Sequence, residues 1–411
     1  MNVVHERCWG LDVQQQTVVA CVLVTAPDGQ VTKPLRTCTT MTADLLALSD
    51  WLARFEVAEV ALESTGIYWR PVFNLLEDGR RITLVNAQHL KRVPGRKTDI
   101  KDAEWLADLL RHGLLRASFI PPKPIRDLRD LTRYRATLLG QRTQEVNHLH
   151  KVLETANIKL AAVASSVVGV SGREMLAAIL AGEEDPAVRA ELARGRLRAK
   201  LPALRQALVG RVQPQHRLLI ERILAHIDFL EESVSQVQDE IEQHLPAEAT
   251  ALDLLQTIPG GGATTAATII AEIGTDMSRF PSAKHLASWA GMCPGNKQSA
   301  GKRLGGKITS GNSWLRAALG EIAWAISHTT GTYLAAQYHR LARRRGKYKA
   351  AVAVAHSVLV IIYHVLRDRQ PYTELGADYF DKLDATRVAR YHVARLTQLG
   401  YEVTLTPAKV A

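Results

Sequence analysis

At 411 residues the chain is long enough for two to three domains, each with its own core. Its 52 Lys and Arg outnumber 41 Asp and Glu, a formal net charge of +11, which favours a phosphate-bearing partner over a basic one. The four cysteines, Cys8, Cys21, Cys38 and Cys293, contain no Cys-x-x-Cys pair, which argues against a zinc site or a disulfide framework, and free thiols suit a reducing cytoplasm.

The apolar run at residues 8–13 continues through 17–24 and predicts two adjacent strands of a hairpin. A helix is expected near 45–55, a strand from Val57 ending at Glu63, a helix near 69–77, a strand at 82–86 and a helix from about Asp99 to His112. That alternation predicts an α/β sandwich. Pro121, Pro122 and Pro124 mark its end. Beyond them nearly everything reads as helix. Residues 125–160 are amphipathic, with Leu128, Leu131, Leu138, Leu149 and Val152 interleaved with Arg126, Arg129, Arg133, Arg135 and Arg142. Residues 161–210 are rich in Ala, Gly and Arg and show little sharp periodicity. Ile220, Ile223, Ile227, Leu230, Val234, Val237 and Ile241 then repeat in steps of three and four, the spacing of a coiled-coil seam. Such a seam serves a dimer contact, or folds back on the 125–160 helix as a hairpin. Residues 350–366 form the longest apolar stretch, but His356 and His364 within it favour a buried helix over a membrane span. With no signal-peptide pattern at the N-terminus, a soluble cytoplasmic protein is expected. The expected division is 1–124 for the α/β domain, 125–249 for the helical spacer, 250–370 for a compact helical domain and 371–411 for a tail.

Four carboxylates stand out against this frame. Asp12 lies in the first strand, Glu63 ends another, and Asp99 and Asp102 sit three apart on one face at a helix start. A metal-dependent nuclease of the RNase H type places strand and helix carboxylates in this order, and oxygen-only ligands suit Mg²⁺ or Mn²⁺. Taken singly, each is also an ordinary loop acid or a favourable charge at a helix N-terminus.

Charge and glycine are concentrated as well. Residues 80–151 hold 16 Lys and Arg against 7 Asp and Glu, and Arg340, Arg343, Arg344, Arg345, Lys347 and Lys349 form a second group without an acid. Both can follow a phosphate backbone, or simply be solvated helix faces. A helix, the turn Pro259-Gly260-Gly261-Gly262 and a second helix from Ala263 suggest a helix-hairpin-helix, whose backbone N–H groups can meet a phosphate, or a plain packing turn. Residues 291–316 read as a long polar glycine-rich loop. Within it, Ser299 is followed by Lys302 and Arg303, so its hydroxyl is a candidate nucleophile that needs activation from elsewhere, or a turn residue facing solvent.

The ordered set Gly10-Leu11-Asp12, Leu62-Glu63-Ser64-Thr65-Gly66 and Lys97-Thr98-Asp99-Ile100-Lys101-Asp102-Ala103, followed by Ile258-Pro259-Gly260, Ser299-Ala300-Gly301-Lys302-Arg303 and Gly311-Asn312-x-x-Leu315-Arg316, resembles the "one-ten" family of insertion-sequence transposases, also called bridge-RNA-guided recombinases. The resemblance spans roughly residues 5–370. Ser310 departs from it, standing where many relatives carry a basic residue.

That resemblance implies a RuvC-like N-terminal domain in which Asp12, Glu63, Asp99 and Asp102 bind Mg²⁺, and a C-terminal transposase domain whose Ser299 forms a phosphoserine link to DNA. It implies a homo-oligomer, a dimer or a dimer of dimers, whose composite site draws on two protomers. A structured guide RNA would pair with donor and target DNA. Nucleic acid would be held by Arg126, Arg129, Arg133, Arg135, Gly260, Gly262, Lys302, Arg303, Asn312, Arg316, Arg343, Arg344 and Arg345. The rival readings are a RuvC-type structure-specific endonuclease in which water attacks, and a non-catalytic nucleic-acid-binding repressor.

Overall fold

The computed structural model describes residues 2–26, 28–63, 66–85, 99–295, 297–305 and 308–406, excepting the side chains of residues 99, 100, 297–299, 303 and 304. The chain divides into two compact units, Met1–Ile120 and Pro121–Ala411, so the break falls at the first of the three prolines.

The first unit is built on a six-stranded mixed sheet. Strands β1 (Arg7–Val13) and β2 (Thr17–Thr25) form the expected hairpin, β3 (Val31–Thr32) and β4 (Leu35–Thr39) extend it, and β5 (Glu59–Glu63) and β6 (Arg81–Val85) continue on the other side. The order is β3-β2-β1-β5-β6, with β4 also on β2. β1 runs antiparallel to β2 and parallel to β5, and β5 is parallel to β6. One face carries Leu11, Val18, Val22 and Leu62, packed on α1 (Thr42–Ala53) and α2 (Trp69–Leu76) through Leu48, Leu52, Val72 and Leu76. The other carries Cys8, Cys21, Leu23 and Ala61 against Ala103, Leu106, Ala107 and Leu110 of α3 (Asp99–Arg111). Helices on both faces explain why β1 and β2 are continuous apolar runs rather than alternating ones.

Gly10 sets how closely α3 approaches. A Cβ there would lie 2.1 Å from the Ala103 carbonyl oxygen and 2.5 Å from the Ala107 nitrogen, so the helix backbone rests directly on the strand. The helix runs antiparallel to β1. Val4 N–H donates to the Arg111 carbonyl at 2.8 Å, Cys8 Sγ to the Ala107 carbonyl at 3.3 Å, and Gly10 meets Ala103.

The second unit is almost wholly helical. Its two long helices, α4 (Lys123–Thr155) and α9 (Pro214–His244), pair side by side. His226 meets Glu145 at 3.5 Å and Arg142 donates to Glu231 at 2.8 Å, which makes the pair antiparallel. Ile220, Ile227, Leu230 and Ile241 are buried within this single chain by the fold-back arrangement, while Ile223, Val234 and Val237 of the same spacing are half-buried. Between the two, α5 (Leu160–Val163), α6 (Val170–Leu180), α7 (Pro186–Glu191) and α8 (Leu201–Ala207) close one end of the hairpin around Met175, Leu176, Ile179 and Leu204.

Then come α10 (Ala249–Gln256), α11 (Ala263–Ile273), α12 (Ala283–Trp289), a small hairpin of β7 (Lys297–Ser299) and β8 (Lys302–Gly305), and α13 (Ser313–Ser327), α14 (Tyr333–Arg345) and α15 (Lys347–Asp368). By length and composition α15 could cross a membrane, but half of its most apolar stretch is buried, and Val354, Val358, Leu359 and Ile362 pack in the interior as expected. Two further helices, α16 (Tyr379–Leu383) and α17 (Ala385–Gln398), occupy the expected tail.

Gly10→Ala is expected to destabilise the first unit by about 3 kcal/mol or more, because overpacking against backbone cannot be relieved by a rotamer change. Urea unfolding checks this, and a loss under about 1 kcal/mol would contradict the packing described. Burial also pushes the Cys8 thiol up to about 12 and the Cys21 thiol to about 11 from an ordinary 9.0. The folded thiols keep protons that the unfolded chain releases above pH 9, so their contribution is complete below pH 9 and is lost as pH climbs toward 12. The stability advantage of wild type over Cys8→Ala/Cys21→Ala should therefore shrink from pH 9 upward, and a constant difference to pH 11 would refute the burial of both groups.

Candidate active site and nucleic-acid interface

Strand register brings two of the carboxylates together. Leu11 pairs with Leu62 on parallel strands, so Asp12 and Glu63, one residue further on, stand side by side on neighbours separated by about 4.8 Å. Both follow the alternation of Gly10 and Ala61, which puts them on the face covered by α3. Since that helix runs back along β1 with Ala103 over Gly10, its N-terminal turn, starting at Asp99 and including Asp102, lies at the Asp12 end of the strand. Asp12 is only 8% exposed, while Glu63 and Asp102 are half-buried. Gln14 Nε2 lies 3.5 Å from an Asp12 oxygen.

Three elements thus carry acids to one end of the sheet. The side chain of Asp99 lies outside the described residues, as do Ser64, Thr65, Lys97 and Thr98. Among the described residues no three His, Cys, Asp or Glu side chains come together closely enough to hold a metal ion. The carboxylates would offer only hard oxygen donors, a chemistry that suits Mg²⁺ or Mn²⁺ better than the Cys- and His-rich sites typical of zinc.

In the second unit the glycine-rich segment is more ordered than a loop. Ser299 pairs with Lys302 across the two-residue turn Ala300-Gly301, whose φ values of 47° and 76° are those a type I′ hairpin turn requires. The side chains of Ser299 and Arg303 lie outside the described residues, and Lys302 is exposed. Below the hairpin, Pro294 bridges to Ile308, and Gly311 packs backbone to backbone on Ala290 and Gly291: a Cβ on Gly311 would lie 2.4 Å from Gly291 N. Asn312 then caps α13, its Oδ1 accepting from Trp314 N–H and Leu315 N–H at 3.0 Å each.

The turn between α10 and α11 leaves Gly260 and Gly262 exposed. It packs as well, since a Cβ on Gly260 would lie 3.1 Å from the Ile322 carbonyl oxygen. Arg343, Arg344 and Arg345 are exposed in the last turn of α14, where cations favour the helix dipole. Arg316 is half-buried, and Arg135 is half-buried with an unpartnered Nε. Arg126 donates to the Pro121 carbonyl at 3.0 Å.

Three of the expected nucleic-acid contacts, Arg129, Arg133 and Asn312, are engaged inside the protein instead, by a residue with no motif around it. Glu272, in the last turn of α11, is fully buried. Arg133 grips both its oxygens, Nε to Oε1 at 2.7 Å and Nη2 to Oε2 at 2.8 Å. Arg129 Nε lies 3.5 Å from Oε2 and donates to the Ala271 carbonyl at 2.9 Å, where it neutralises the helix C-terminus. Asn312 Nδ2 donates to Glu272 Oε2 at 2.5 Å. Arg129, Arg133 and Asn312 therefore form an internal cluster rather than a phosphate-gripping surface. Glu272 is the lone charge in the sequence Ala-Thr-Thr-Ala-Ala-Thr-Ile-Ile-Ala-Glu-Ile, and that isolation was the available signal.

Residues 9–158 match a family model described as a transposase, the DEDD type of IS110, and residues 252–339 match "Transposase IS116/IS110/IS902 family". The chain belongs to this family. Among curated relatives, it is 29% identical over 181 residues to the "Mini-circle putative transposase for IS117" of Streptomyces coelicolor, covering 43% of this chain and 41% of that protein. It is 35% identical over 150 residues to the pilin gene-inverting protein of Moraxella bovis, 34% of this chain and 45% of that one. It is 26% identical over 294 residues to the "Insertion element IS110 uncharacterized 43.6 kDa protein" of Streptomyces coelicolor, 66% and 71%. The chain spans less than half the length of the first two.

Removing Arg133 should leave Glu272 a poorly compensated buried charge, so Arg133→Ala is expected to cost about 3–5 kcal/mol. Arg142→Ala, which breaks a partly exposed pair with Glu231, should cost about 1 kcal/mol or less. Equal losses in chemical denaturation of the two variants would contradict this difference.

Proposed function

We propose that the chain is an insertion-sequence transposase that cleaves and rejoins DNA, its N-terminal domain of the RNase H and RuvC type. The observation that carries this reading is the parallel register ending at Leu11 and Leu62, which sets Asp12 and Glu63 next to each other at the end of the sheet where α3 begins. The strand order supports it too: an antiparallel hairpin joined edge to edge with parallel strands, with a helix over the central strand. Two relatives named for transposition and gene inversion share the rearrangement of DNA as a theme.

Asp12, Glu63, Asp99 and Asp102 would hold Mg²⁺ or Mn²⁺, which when bound supplies positive charge against the phosphodiester oxygens. The Ser299 hydroxyl attacks phosphorus, a serine–phosphate ester forms as one strand P–O bond breaks, and the departing hydroxyl takes up a proton. A free hydroxyl of another strand then displaces Ser299, which regains its proton. Lys302, Arg303 and Arg316 neutralise the phosphate near the hairpin, and Gly260 and Gly262 present backbone N–H groups to another. Arg126, Arg135 and the Arg343–Arg345 run track nucleic-acid backbone. The long α4–α9 hairpin serves as the spacer between the α/β domain and the helix-hairpin-helix and serine-bearing region, and a homo-oligomer assembles the composite site. An element-encoded guide RNA, pairing with donor and target DNA while the protein reads shape and backbone, is part of this reading.

Incubation with DNA carrying the element's ends should give a covalent protein–DNA adduct that Ser299→Ala loses. Asp102→Asn should abolish strand cleavage while DNA affinity stays within about threefold, because phosphate contacts supply the affinity. Undiminished cleavage by Ser299→Ala would favour water as the nucleophile, and undiminished cleavage in excess chelator would exclude the metal-dependent reading.

A further inference from the structure

Glu272 takes no part in the chemistry proposed above, yet it occupies an expensive position. It is a fully buried carboxylate at the C-terminal end of α11, where the helix dipole opposes it, in a helix otherwise made of small and apolar residues. Packing alone would be met at least as well by a hydrophobic side chain of similar volume. What the carboxylate supplies and a hydrocarbon cannot is a pair of oriented acceptors. The Arg133 fork occupies both oxygens and fixes the plane of the group, and the Arg129 guanidinium ties the same turn of helix to α4 through the Ala271 and Glu272 carbonyls, at 2.9 and 2.7 Å.

The remaining bond leads toward the hairpin. Asn312 Nδ2 donates to Glu272 Oε2 while its Oδ1 holds the first turn of α13, so both ends of one amide are committed and it cannot flip. Gly311, directly before it, lies against Ala290 and Gly291 at a separation no side chain would allow, and Gly291 adopts φ +69° to make that approach. The next rung is the Pro294–Ile308 bridge, and beyond it stand β7 and β8.

We propose that Glu272 is a positioning residue, fixing through Asn312 the base of the hairpin on which Ser299 stands. The role rests on the serine reading given under Proposed function for its catalytic consequence, though not for its structural one. A loosened base would displace the nucleophile without removing it, and misplacement of about 1 Å is enough to lower a rate about 100-fold.

The test uses Asn312→Ser in the full-length protein, because serine keeps a cap acceptor for α13 and leaves the arginine pairs on Glu272 intact while deleting the Nδ2 donor. Backbone hydrogen exchange across residues 292–308 should rise at least about tenfold with α4 and α9 unchanged, a local opening rather than a global one. The rate of Ser299–DNA adduct formation should fall at least about 20-fold while the dissociation constant for the DNA shifts less than about threefold, the mark of a lost orientation rather than lost binding. Glu272→Gln should reproduce both effects, and if it fails to fold, Asn312→Ser decides alone. Exchange or adduct formation within about twofold of wild type would overturn the proposal. Should the wild type form no adduct, the serine reading fails by itself and hydrogen exchange still judges whether Glu272 holds the hairpin.

Discussion

The first unit depends on one close approach, that of the α3 backbone to Gly10. β1 is the central strand, hydrogen-bonded to antiparallel β2 on one side and parallel β5 on the other. Its neighbours therefore inherit whatever position it takes, and α3 is seated on it without an intervening side chain. The helix start and the strand end are thereby held at one level. A larger residue at position 10 would lift the helix, and with it Asp99 and Asp102, away from Asp12 and Glu63. Tight packing here keeps the helix start level with the strand ends, which the proposed cation site requires, and is not only a source of stability.

The second unit solves a similar problem with charge. Glu272 gathers groups from α4, α11 and the cap of α13, three helices far apart in the chain, and each bond has a direction as hydrophobic contact does not. The numerous pairs elsewhere, such as Lys123 with Asp127 or Arg205 with Glu191, are exposed and contribute little. A buried pair of this kind is no more stabilising than well-packed hydrophobic side chains of similar volume, but removing one partner is costly. Arg133 also lies over the Trp314 ring at 5.8 Å, so the same guanidinium supports the first turn of α13 twice.

Much of this architecture can be read in the sequence, for physical reasons that also explain the rest. β1 and β2 are legible because burial on both faces makes them long apolar runs, and β5 and β6 because each keeps a short apolar core, Val60 to Leu62 and Leu84 to Val85. β3 is too short, and β4 too evenly half-exposed, to leave such a run in the sequence. α5 and α7, of four and six residues, are too brief to show a 3.6-residue period, which is why 161–210 resisted assignment. The Ile220–Ile241 spacing marks an apolar helix face, but spacing does not say which surface covers it, and the fold-back on α4 covers Ile220, Ile227, Leu230 and Ile241. The strand positions of Asp12 and Glu63 are legible in the sequence, while the parallel register that sets them side by side is supplied only by the fold. Arg129 and Arg133 looked like phosphate contacts because their partner lies 139 or more residues away. The Ser299 hairpin looks like a loop in the sequence because its turn uses Ala300 at positive φ, where Asn or Gly signals a hairpin.

A crystal of the full-length protein grown with Mn²⁺ offers the most direct test of the central claim, that acids from two strands and the start of α3 form one divalent-cation site. Anomalous scattering should place a manganese peak within coordination distance, about 2.1–2.3 Å, of carboxylate oxygens from Asp12, Glu63 and the Asp99–Asp102 turn. A fully occupied manganese at another cluster, with Asp12 and Glu63 bound to none, would contradict the account.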